Sequence, residues 1–109
     1  MTNPTLSELI KSGIKDDAEK LPVSAVPPQI ILDIAEVRQY GIRKYPESGK
    51  TRWREITPER WFDAYLRHTL AMWQGGLDAI DKESGIPHRK LAAANLAFIC
   101  ELMGGESYE

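Results

Sequence analysis

Cysteine is nearly absent: Cys100 is the single one in 109 residues, so no disulfide forms within the chain. In the run LAFICEL, Cys100 reads as a small core hydrophobe rather than a nucleophile. Such sparing use suits a reducing compartment, and the expected location is cytoplasmic. No apolar run approaches the ~20 residues of a membrane span, and residues 1–22 lack the apolar stretch of a signal peptide. Charge of one sign is also missing. The net charge is −2, so overall basicity gives no argument for nucleic acid as a partner. Strict alternation of apolar and polar residues is never sustained, which leaves no strand signal. Gly-rich P-loop, CxxC, HExxH and GxSxG patterns are all absent, as are internal repeats.

What is present is helical period. Residues 1–20 form a polar leader, with a short helix expected around 6–11, and Pro22, Pro27 and Pro28 follow. The first main helix is expected over 28–43, because Ile30, Ile34, Val37, Gly41 and Tyr45 recur at spacings of three and four. Gly41 would admit a close backbone or begin the helix end. Residues 46–56 read as a loop. The second helix is expected over 58–74, with Thr57 as N-cap, Pro58 at the first helical position and Gly75-Gly76 as the stop. Trp61, Phe62, Tyr65, Leu66, Thr69, Met72 and Trp73 give it a broad apolar face, with Trp61 and Trp73 read as core. A polar connection over 77–87 leads to the third helix, 87–103, whose buried side is drawn by Leu91, Leu96, Phe98, Ile99 and Leu102. Residues 104–109 read as a frayed tail. The expectation is one all-α domain over 1–109. Three helices leave wide faces uncovered, so a homo-oligomer, first of all a dimer, should complete the bundle.

Chemistry concentrates in a few places. Arg38, Arg43, Lys44, Lys50, Arg52 and Arg54 stand against Glu47 alone between residues 38 and 54, a local excess that attracts phosphates. Trp53, between two arginines, fits base stacking or loop anchoring equally. Arg67 suits a bidentate grip on phosphate, although Asp63 one turn earlier would also make an ordinary ion pair with it. On the third helix His88 and Asn95 project from the middle of the apolar arc, two turns apart, and must find partners there. Asp78, Asp81 and Glu83 precede His88, so carboxylates and an imidazole are available to a divalent cation, or simply to solvent.

The ordered strings KDDAEKLPVSAVPP (15–28), EVRQYGIRKY (36–45), RW (52–53), RWFDAYLRH (60–68) and DKESGIPHRKLAAAN (81–95) resemble the phage-encoded dATP/dGTP diphosphohydrolase N-terminal-domain family. The resemblance implies a helical domain tied to all-α pyrophosphohydrolase chemistry. A purine deoxynucleoside triphosphate would be cut to monophosphate and pyrophosphate with Mg²⁺ or Mn²⁺. It implies substrate-binding roles for Lys15, Lys20, Tyr40, Lys44, Tyr45, Trp53, Arg67 and Asn95. Catalytic roles fall to His68, Glu83 and His88, and metal ligation to Asp81, Glu83 and His88. Lys44, Arg67, His68, Glu83, His88 and Asn95 should then converge. The alternative is a protein that captures a purine di- or triphosphate without cleaving it. The chain departs from the family pattern at Glu19, often glycine, at Arg52, often asparagine, and at Leu91, often a second histidine.

Overall fold

The computed structural model describes residues 20–104, and their regular structure is helical throughout. Three helices, α1 (Gln29–Lys44), α2 (Pro58–Gly75) and α3 (His88–Met103), are joined by ordered loops, with 3₁₀ turns at Val23–Ala25 and Arg52–Glu55. The expected short helix near residue 6 lies outside the described residues. The all-α expectation holds, and each main helix begins and ends within one residue of its expected bounds. Among the described residues no helix is long and apolar enough to cross a membrane.

The chain divides into two compact units. The described part of one is the Pro-rich segment 20–27, wound into the Val23–Ala25 turn, together with Gly104. The other, Pro28–Met103, holds all three helices.

Local chemistry sets the helix ends. The Thr57 hydroxyl accepts from the Arg60 backbone N–H at 3.4 Å, and Pro58 fills the first turn, where its missing N–H costs nothing. The α2 stop is Gly76, at φ +96°, whose N–H returns to the Met72 carbonyl. Only glycine takes that conformation without strain.

Packing is centred on α3. Helices α1 and α2 both pack against it but not on each other. Its buried side chains are Leu91, Ala92, Ala94, Asn95 and Phe98, whereas α1 and α2 contain no fully buried residue. Phe98 is the hub. Trp53 stacks on it at 5.0 Å between centroids, Trp61 tilts against it at 4.6 Å, and the Arg38 guanidinium lies 5.4 Å from it.

Three expectations about the core are corrected. Leu96 is 45% exposed and Cys100 is exposed, because residues 89, 96, 100 and 103 share the one arc of α3 that neither neighbour covers. Trp73 is 83% exposed. Helix α2 meets α3 through Trp61, against Phe98, and His68, against His88, and its apolar face extends well beyond those contacts. The expected close approach at Gly41 exists, but the glycine that requires it is Gly49. A Cβ on Gly49 would stand 2.6 Å from the Gly41 carbonyl and from Ile42 Cα, whereas one on Gly41 would meet only Arg38, at 3.5 Å.

Candidate functional site

Antiparallel pairing of α2 and α3 places His68, midway along α2, against His88, the first residue of α3. Their Nδ1 atoms are 2.8 Å apart. Both residues are half-buried. A contact of this kind needs one Nδ1 to donate and the other to accept, so at least one ring is neutral. With both neutral, one Nε2 carries a proton and the other a lone pair, which gives a donor and an acceptor side by side. Burial, then the charge of His88, lowers the His68 pKa below its ordinary value. Asp81 opposes this, and Arg67 adds to it.

The turn that leads into α3 is built around Asp81. Its Oδ2 accepts from the Ser84 hydroxyl at 2.7 Å and from the Ser84 backbone N–H at 3.0 Å. The Ser84 Oγ in turn accepts from the Ile86 N–H. Gly85, at φ +74°, returns its N–H to the Asp81 carbonyl, and an isolated bridge joins Ile80 to Pro87. Burial pushes the Asp81 carboxyl up, but the two Ser84 hydrogen bonds, with His88 and His68 nearby, bring it below the ordinary carboxylate value. What read as a loose polar connection is thus an ordered support for His88. The Asp-x-x-Ser-Gly spacing is the sequence signal for it.

From the same turn Glu83 reaches the Lys44 ammonium at the end of α1, and hydrogen bonding to Glu83 raises the Lys44 pKa. Lys44 also lies 5.8 Å from the Tyr40 ring centroid and 5.6 Å from that of Tyr45, and the Arg52 guanidinium is 4.9 Å from the Tyr45 ring. Arg67, exposed beside His68, makes no ion pair among the described residues, so the alternative of an Asp63–Arg67 pair is not realised.

The residues expected to converge therefore form two contacts presented by one turn, His68–His88 and Lys44–Glu83, with Arg67 flanking the first. Asn95 is not in the histidine contact. It lies about 10 Å further along α3, at 1.5 Å rise per residue, is 6% exposed and has an unpartnered Nδ2. Trp53 is a loop anchor: besides stacking on Phe98, its Nε1 donates to the Lys50 carbonyl, and its own carbonyl accepts from Trp61 Nε1. Lys20 is exposed in the other unit, and Lys15 lies outside the described residues.

Among the described residues, Asp81, Glu83 and His88 do not form a donor set that fits a divalent cation. Among the described residues no three His, Cys, Asp or Glu side chains group to hold one. Glu83 is engaged by Lys44, and Asp81 spends one oxygen on two Ser84 donors. The acids on α1, Asp33 and Glu36, share Lys90 at 3.6 and 3.1 Å.

Comparison with known proteins places the chain in a family. A dATP/dGTP diphosphohydrolase of Salmonella phage PMBT28 is 35% identical over 92 residues, which cover 84% of this chain and 30% of that protein. The chain thus spans under a third of that relative's length. No solved structure matches it. The family model for the N-terminal part of dATP/dGTP diphosphohydrolases matches residues 11–108, nearly the whole chain, and the chain belongs to that family.

Proposed function

We propose that this chain handles dATP and dGTP and contributes to their hydrolysis to monophosphate and pyrophosphate. The observation that carries this reading is the His68–His88 contact, in a chain of this family, with the unpaired cation of Arg67 beside it. Arg67 and Lys44 hold phosphate oxygens through charge-assisted hydrogen bonds. The neutral Nε2 with a free lone pair takes a proton from the attacking water as oxygen bonds to phosphorus. The protonated Nε2 of the other ring gives its proton to the departing pyrophosphate as the P–O bond breaks, while the bridging proton crosses from Nδ1 to Nδ1, so both rings end neutral.

A second reading, capture without cleavage, is favoured by one observation: the carboxylates expected to bind metal are committed to Lys44 and Ser84. One experiment separates the two. The protein is incubated with dATP or dGTP, with and without Mg²⁺ or Mn²⁺, and the products are resolved chromatographically. Release of pyrophosphate supports hydrolysis, and intact nucleotide that co-elutes with the protein supports capture. Absence of binding at millimolar nucleotide removes both.

A further inference from the structure

We propose that Lys44 and Arg52, gathered around Tyr45, form a subsite for a polyphosphate chain, and that Glu83 is a built-in competing anion that the polyphosphate displaces. The inference rests on the nucleotide reading above and names the groups that meet the phosphates. Both cations lie within 6 Å of the Tyr45 ring centroid, so they stand no more than about 11 Å apart, within the combined reach of a polyphosphate chain and two hydrogen bonds. Arg52 has no ion pair among the described residues, and Lys44 has only Glu83. The 81–86 turn holds Glu83 in place through the Asp81–Ile86 and Asp81–Gly85 backbone bonds and the Ser84 contacts.

The Lys44–Glu83 pair is solvent-exposed, with 38% and 69% of the side chains accessible. Such a pair is weak and screened. A polyanion offers several acceptors to both cations at once, and Arg52 can take two oxygens through its planar fork. Displacement of one carboxylate by a chain of phosphates therefore favours binding, and Glu83 sets how much anionic charge a ligand needs. A single carboxylate or monophosphate gains little over Glu83, and a triphosphate gains most.

The test is calorimetric titration of the full chain with inorganic tripolyphosphate at two salt concentrations, with circular dichroism to confirm that each variant keeps its helices. Glu83→Gln should bind about fivefold or more tightly than wild type, as removal of a competing charge requires. Arg52→Gln should bind about tenfold more weakly, the loss of a charge-assisted hydrogen bond, and Arg52→Lys should recover part of it. Lys50→Gln, a loop cation outside the cluster, should shift binding less than about twofold. The subsite is overturned if Glu83→Gln binds no more tightly than wild type, or if Arg52→Gln costs no more than Lys50→Gln. Absence of tripolyphosphate binding in both wild type and Glu83→Gln overturns it too. Parallel titrations with dATP keep the two ideas apart. If tripolyphosphate shows this order and dATP does not bind, the subsite stands and the purine nucleotide reading falls. If dATP binds with no such order, the reverse holds.

Discussion

Protonation of His68 is resisted twice, by burial and by the imidazole of His88 against it. The consequence for stability has a definite sign. The folded-state pKa lies below the unfolded value of about 6.5, so on acidification the unfolded chain takes up the proton first. Stability is fully present above that value and falls as pH drops toward the lowered folded pKa. Asp81 acts in a separate window. Its folded pKa lies below the ordinary carboxyl value, so its contribution persists above about pH 4 and is lost below that. Urea denaturation should therefore show a lower midpoint at pH 5.5 than at pH 7.5, and the difference should shrink in His68→Gln. An equal pH difference in wild type and variant would remove His68 as its source. His88 was legible from sequence because the 3.6 period places it on the apolar arc of α3. Its partner, His68, was grouped with it only through the family resemblance, and nothing local to residue 68 shows that residue 88 returns to it. The chain turn that brings them together depends on Asp81, Ser84 and Gly85, and their spacing predicts a turn without saying what the turn faces.

At the scale of elements, caps and period carried the reading well. Thr57-Pro58, Gly75-Gly76 and the recurrence of apolar residues drew three helices whose ends the structure keeps to within one residue. The loop between α1 and α2 was harder, because its order comes from contacts distant in sequence. Arg38 donates to the Gly49 and Lys50 carbonyls at 2.7 and 3.2 Å, and Trp53 reaches across to Phe98. A glycine inside a helix attracts notice, but one inside a polar loop does not, and here the loop glycine is the constrained one. Two substitutions test this directly. Gly49→Ala forces a methyl group into the Gly41 and Tyr45 carbonyls and Ile42 Cα, all backbone and all at 2.7 Å or less. It should destabilise by about 2–3 kcal/mol, typical of overpacking that the chain cannot relax. Gly41→Ala meets only Arg38 at ordinary contact distance. It removes glycine's conformational cost in a helix and should be neutral or stabilising by up to about 1 kcal/mol. Thermal melts should place Gly49→Ala well below wild type and Gly41→Ala at or above it. A Gly49→Ala protein as stable as wild type would show that the loop does not press on α1.

Among the described residues of the molecule, an apolar surface lies exposed along α2. Phe62, Leu66, Leu70 and Trp73 recur at spacings of four, four and three along the outward side of α2, and Leu77 continues the line past its end. Their exposures run from 40% at Leu66 to 83% at Trp73. Taking ~200 Å² for a fully exposed large side chain, they present roughly 600 Å², more than single scattered hydrophobes account for. Two copies meeting along this stripe would bury about 1,200 Å² in all, the lower edge of a stable interface. With the two-fold axis in the plane of the interface and perpendicular to α2, the two α2 helices pair antiparallel and their dipoles also oppose favourably. The expected solution species is therefore a dimer of 12.3-kDa chains. The measurement is light scattering after size exclusion at high micromolar concentration, in reductant. Reductant matters because Cys100 is exposed, and a disulfide between two copies would mimic the same mass. In wild type the dimer mass should persist with reductant present. Trp73→Glu should lower it to the monomer mass while helical circular dichroism is retained, since Trp73 contributes little to the core within one chain. A wild-type monomer at that concentration would exclude self-association through α2. A dimer that survives Trp73→Glu would place the interface on another face.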